Sequence, residues 1–219
     1  MNATLRDEEV QIIVGGSMLV GHLTVPVSST GVVIFAHGSG SSRQSPRNQA
    51  VARVLTRAGL ATLLFDLLTR KEEADRSMIF DIALLGGRLL EVTRWLKSQI
   101  ELVNLPVGYF GASTGAAAAL WAAADQNVEI KAIVSRGGRP DLAGGRLPTV
   151  RAATLLIVGG LDNIVIDLNR QAQAELLCES ELVLIPGATH LFEEVGTLER
   201  VAELAVNWFT SHLRNELMQ

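Results

Sequence analysis

Ser113 stands where a serine could act as a nucleophile. It is the centre of Gly111-Ala112-Ser113-Thr114-Gly115, which lies between an apolar run at 106–110 and an alanine-rich run at 116–124. That order predicts a strand, a sharp turn and a helix, the setting of a G-x-S-x-G nucleophile elbow. Such a turn strains the serine backbone, and the flanking positions must lack side chains that would collide. A glycine-rich connection with a capping serine would carry the same five letters. The chemistry therefore depends on partners elsewhere in the chain.

A serine hydroxyl needs a base, and histidine titrates in the right range for that task. The chain has four. His22 falls in the N-terminal strands and His212 near the end of the last helix, both away from the expected strand ends. His37 follows a central strand and opens His37-Gly38-Ser39-Gly40-Ser41-Ser42, whereas His190 follows the last strand in Ile185-Pro186-Gly187-Ala188-Thr189-His190. A lone loop histidine can equally be a turn or cap residue. Behind an elbow of this kind the order along the chain is serine, acid, histidine, which selects His190.

The acid must lie between them at a strand end, where it can orient the imidazole. Asp162, in Val158-Gly159-Gly160-Leu161-Asp162, meets both conditions. Asp167 is a rival, but it falls inside an expected helix and suits a charge at that helix's N-terminus. Asp141, in a glycine-rich loop, is a third candidate. Acyl transfer also requires donors for the tetrahedral oxygen. The Thr114 amide is one. The second is expected from the 38–40 loop, with Ser39 the first choice and Gly40 the alternative, although the loop could also be an ordinary turn. His37, Gly38, Gly40, Arg136 and Arg139 are expected to line the substrate site. Arg136, Arg139, Arg146 and Arg151 together raise the expectation of an anionic substrate, against the plainer reading of solvated surface charges.

The elements that must hold these groups follow from apolar periodicity. Residues 10–14 and 18–25 flank Gly15-Gly16-Ser17 and predict an antiparallel hairpin at a sheet edge. Short Val-, Ile- and Leu-rich runs at 32–36, 60–65, 107–110, 130–134, 154–158 and 182–185 predict six further strands. Helices are expected at 48–58, 79–100, 114–124, 164–178 and 198–213. The alternation implies an α/β fold: a mostly parallel sheet of about eight strands, helices on both faces, and ligands at the strands' carboxyl ends. The polar stretches 67–77 and 135–151 follow strands and should overhang the site. The latter has room for a loop and a short helix but for no cap domain, so the site is expected to be shallow or completed by a second copy in a homodimer.

Composition narrows the classes. The 219 residues suit one domain over 1–219, and 48% hydrophobic content with a mean hydropathy of +0.28 fits strands buried on both faces. A net charge of -4 announces no basic surface for nucleic acid. Cys178 is the only cysteine, which excludes an internal disulfide and any cysteine-based zinc cluster and fits a buried, inert thiol. The first nine residues lack a secretory pattern, and residues 112–124 are too few to span a bilayer, so a cytoplasmic, non-membrane protein is expected.

Across nearly its whole length, with Ser113, Asp162 and His190 in order, the chain resembles the α/β-hydrolase superfamily. It is most similar to the dienelactone hydrolase-like branch, in which no cap domain is inserted. The stretches Ser135-Arg136-Gly137-Gly138-Arg139-Pro140-Asp141 and His190-Leu191-Phe192-Glu193-Glu194 are similar to hydrolase modules sometimes fused to phosphoribosyltransferase domains; no such fusion is expected here. One departure is plain. Dienelactone hydrolase itself uses a cysteine nucleophile, whereas this elbow carries serine. The resemblance implies a serine hydrolase acting on a small carboxylic ester or thioester through an acyl-enzyme, with neither metal nor organic cofactor. Peptidase, acyltransferase or perhydrolase chemistry uses the same residues, and a non-catalytic binding protein could keep the fold.

Overall fold

The structure, a computed structural model, describes residues 3–213. Eight strands form one sheet in the order β1-β2-β4-β3-β5-β6-β7-β8: β1 (Thr4–Val14), β2 (Ser17–Pro26), β3 (Gly31–Ala36), β4 (Leu60–Phe65), β5 (Val107–Ala112), β6 (Ala132–Arg136), β7 (Ala153–Gly159) and β8 (Ser180–Ile185). The six from β4 to β8 run parallel, while β2 pairs antiparallel with both β1 and β4. This is the expected α/β-hydrolase arrangement. β3 to β7 are buried throughout, as strands covered on both faces must be.

The covering helices are α1 (Pro46–Arg57), α2 (Arg76–Ile79), α3 (Ile82–Lys97), α4 (Thr114–Ala123), α5 (Asn163–Glu175) and α6 (Thr197–His212). Alternate residues of each strand sort the core into two layers. Ile34, Leu63 and Tyr109 pack with Leu89 and Val92 of α3 and the alanines of α4, whereas Phe35, Phe110 and Val134 pack with Leu55 of α1 and Phe209 of α6. α4 is apolar all round and buried on nearly every side, because small alanines let it lie close against the sheet beside α3.

Several elements depart from their expected limits, three of them informatively. β1 begins at Thr4 rather than residue 10, because its first half pairs with β2 through backbone bonds while its polar side chains face solvent, leaving no apolar alternation to read. The helix expected over 79–100 breaks at Phe80; Asp81 caps α3, its carboxylate accepting from the Leu84 amide at 2.9 Å. β6 runs two residues further than expected and carries Ser135 and Arg136, and the following loop contains a 3-10 segment, Pro140–Thr149, broken at Gly144.

Candidate active site

The β5–α4 junction holds Ser113 at φ 50° and ψ -122°, a strained conformation for a residue with a side chain. Its amide donates to the Arg136 carbonyl at 3.3 Å, and its carbonyl accepts from the amides of Ala116 and Arg139, each at 3.1 Å. The elbow is thus tied to the end of β6 as well as to its own helix. Gly115 lets α4 press against the end of β3: a Cβ there would collide with the carbonyl oxygens of Ala36 and His37.

Asp162 and His190 are brought together. His190 Nδ1 lies 2.7 Å from Asp162 Oδ2, with the aspartate side chain 17% exposed and the imidazole 42%. Asp162 occupies the cap position of α5, yet its carboxylate takes no amide of that helix and is spent on the imidazole instead. An ionised carboxylate only accepts, so Nδ1 carries the proton and the Nε2 lone pair is left to act as a base. The rival acids are engaged elsewhere: Asp141 with Arg139 and Asp167 with Arg170. The rival histidines are too, His22 with Asp7 and His212 with the Trp208 carbonyl.

The turn bearing His190 is closed by Glu194, whose carboxylate accepts from the Thr189 hydroxyl at 2.6 Å and from the Thr189 amide at 3.1 Å. Those bonds, the hydroxyl's first, hold the Glu194 carboxyl below its ordinary pKa. Phe192 is buried at φ 55° and anchors the turn from below, with the Arg136 guanidinium 5.9 Å from its ring centre. Side chains at two glycines would land on the site: a Cβ at Gly38 would lie 2.9 Å from Ser113 Cβ, and one at Gly137 would lie 3.6 Å from His190 Cε1. Among the described residues, no hydrogen bond runs from the Ser113 hydroxyl to His190.

One of the two expected oxyanion donors is already engaged by the residue that carries the other. The Ser39 amide donates to Thr114 Oγ1 at 2.9 Å, while the Thr114 amide belongs to the first helical turn, where no carbonyl of its own helix can reach it. Beside them opens a pocket of about 440 Å³. The 38–42 stretch and Thr114 form its polar wall, Leu67, Leu68, Ile79 and Leu85 its apolar wall, and Glu73 stands at its edge. Ser113 is not itself a lining residue; the pocket reaches it through its neighbours Thr114 and Gly38.

Two expectations about the substrate site need correction. His37 does line this pocket, but it offers a ligand no free ring nitrogen: Nδ1 donates to the Gly38 carbonyl at 3.0 Å and Nε2 accepts from the Leu67 amide at 3.0 Å. Burial pushes its pKa down and keeps it neutral. It is a clamp between the loops after β3 and β4. The arginines do not converge on an anion. Arg139 is paired with Asp141, Arg146 stacks on Trp121 at 3.6 Å, and Arg151 lines a separate depression beside Cys178. Arg136 is buried against Phe192 with Asn48 Oδ1 at 3.4 Å, and its Nε has no partner. Burial and the neighbouring Arg47 lower its pKa to about 10.

Sequence reasoning missed the Thr114 hydroxyl, the Glu194 clasp and Glu73. A threonine inside the elbow and a Thr-to-Glu spacing of five around the histidine were the available signals. Among the described residues, no group of three or more His, Cys, Asp or Glu is arranged to hold a metal, and no helix is long and apolar enough to cross a membrane. Cys178 is a half-buried free thiol whose pKa is raised by burial.

No family model matches the chain. The crystal structure of a dienelactone hydrolase from Anabaena variabilis is 54% identical, with a TM-score of 0.92 over 95% of this chain and 99% of that one. Est1E from Butyrivibrio proteoclasticus superposes with a TM-score of 0.80 at 17% identity, over 93% of this chain and 98% of its own. A cold-adapted esterase from an Arctic intertidal metagenomic library gives 0.77 at 19%, over 98% and 100%. These two share the fold. A Mycobacterium tuberculosis protein with the provisional name phosphoribosyl transferase is 62% identical over 209 residues, which are 95% of this chain and 47% of that protein. The chain thus spans about half the length of the curated relatives it matches.

Proposed function

Because the chain belongs to the dienelactone hydrolase family, we propose that it is a serine hydrolase cleaving a small carboxylic ester or thioester. The observation that carries this reading is the 2.7 Å bond between His190 and Asp162 at the strand ends that also present the strained Ser113. In the proposed reaction Ser113 Oγ attacks the acyl carbon while His190 Nε2 takes its proton. Nδ1–H stays on Asp162, which steadies the imidazolium. The imidazolium then protonates the departing alcohol or thiol, leaving an ester on Ser113. Water, deprotonated by the same nitrogen, attacks that ester, and the imidazolium returns the proton to Ser113 Oγ as the acid is released. The Thr114 amide, with the Gly40 amide or with a Ser39 amide released from Thr114 Oγ1, receives the oxyanion in both steps. The bond between Ser113 and His190 forms when substrate excludes water from the site, as apo enzymes often require.

The transferase name is carried by proteins about twice as long as the matched segment. We assign that activity to the half this chain does not match, since the matched half corresponds over its length to a hydrolase structure.

Short p-nitrophenyl esters test the reading. Ser113→Ala is expected to lose about 10⁴-fold or more in kcat, and a fluorophosphonate probe should label wild type at Ser113 but not this variant. A folded Ser113→Ala protein with undiminished activity, or a wild type that the probe leaves unlabelled, would remove Ser113 from the chemistry. The second outcome would favour a non-catalytic binding protein.

A further inference from the structure

We infer that the pocket beside the elbow makes this enzyme selective for substrates whose pocket-filling part is apolar and neutral or cationic, with Glu73 as the residue that sets the charge preference. The inference rests on the hydrolase reading above and specifies its substrate class.

The charges around the pocket carry the argument. No lysine or arginine lines it, and among its lining residues Glu73 is the only ionised side chain, since His37 is held neutral by burial. The nearby acids that could share this role are already neutralised. Glu72 is gripped by the Arg88 guanidinium at 2.6 Å, which holds its pKa down at about 2. Asp66 is paired with Arg43. Glu73 forms no ion pair among the described residues and faces solvent at the pocket's edge. The same pocket is lined by Leu68, Ile79 and Leu85. A ligand filling this pocket therefore meets an apolar wall and one carboxylate that has no ion-pair partner among the described residues. The arginines that might have welcomed a carboxylate are paired, stacked or buried away from this pocket.

The pocket volume of about 440 Å³ falls within the usual range for small-molecule sites. An exposed carboxylate is screened, so the preference is a modest one: about twofold to fivefold between otherwise matched cationic and anionic substrates. It should fade as ionic strength rises toward ~1 M, where the screening length shrinks to about 3 Å.

The test is a matched set of butyl-length esters ending in trimethylammonium, methyl or carboxylate, with the end group placed first on the acyl and then on the alcohol side. Values of kcat/KM are measured for wild type, Glu73→Gln, Glu73→Lys and Ser113→Ala at low and high salt. On one of the two sides wild type should prefer ammonium to carboxylate. Glu73→Gln should erase that preference, Glu73→Lys reverse it, and high salt flatten it, each read as the ratio of kcat/KM for the ammonium ester to that for the carboxylate ester. A wild-type preference for carboxylate on both sides would overturn the inference, as would a ratio that Glu73→Lys does not move. Those failures leave the hydrolase reading standing as long as Ser113→Ala is inactive; activity in Ser113→Ala would sink that reading instead.

Discussion

The Ser39 amide is bonded to the Thr114 hydroxyl at 2.9 Å, so the loop after β3 and the first turn of α4 are fastened to each other where the proposed reaction calls for oxyanion donors. One threonine serves both parts: its amide points from the helix N-terminus, and its side chain positions the other donor's loop.

Thr114→Val removes the acceptor but keeps the amide. A hydrogen bond of this kind is worth about 1 kcal/mol, so kcat should fall about fivefold with little change in KM, and Thr114→Ser should restore it. Steady-state kinetics on a p-nitrophenyl ester checks this. A rise in kcat would mean that the bond competes with substrate for the Ser39 amide.

His37 makes stability depend on acid. Burial lowers its pKa below 6.5 in the folded protein, so as pH falls the unfolded chain takes up this proton first. The contribution is fully present above 6.5 and is lost below it, at up to about 1.4 kcal/mol per pH unit until the folded ring also titrates. Urea unfolding at pH ~7.5 and ~5.5 should show wild type losing more stability than His37→Gln. Equal losses would mean that the ring titrates alike in both states.

Arg136 carries its charge inside the protein at neutral pH, forming no ion pair among the described residues and with Arg47 as its charged neighbour. Replacing a buried charge by an apolar side chain of similar length is often stabilising by about 1–4 kcal/mol. Arg136→Met should therefore raise Tm at neutral pH. The gain should shrink as pH climbs above about 10, because there the folded protein releases this proton before the unfolded chain does. A lower Tm at neutral pH would show that the Phe192 contact outweighs the burial cost.

Two glycines of the site should respond differently to alanine. Gly40 has φ 67°, and a methyl added there would meet nothing within 4 Å, so Gly40→Ala should cost about 1–2 kcal/mol from backbone strain alone. Gly115→Ala would drive a methyl into the backbone of residues 36 and 37 and should cost about 3 kcal/mol or more. Thermal melts of the two variants separate these cases.

The sheet order, the elbow and the pairing of Asp162 with His190 were legible because buried strands write themselves as apolar runs and a strand-end acid and histidine stand out against them. β1 was half hidden, since an edge strand held by backbone bonds needs no apolar alternation. The fate of the arginines was invisible for a different reason. Arg139 found Asp141 two residues away and Arg146 found the face of Trp121, and a sequence gives the charge of a side chain without its direction. The same holds for His37, whose strand-end position suggested ligand contact but whose two nitrogens are taken by Gly38 and Leu67.

That histidine has a mechanical consequence. By bonding one loop through each side of its ring, His37 couples the polar and apolar walls of the pocket into a single part. A change at Leu67 made to widen the cavity is transmitted through the imidazole to Gly38, and from there to the amides proposed to meet the oxyanion. Substrate range and turnover are geared together in this enzyme, and engineering one will move the other unless the ring is released first.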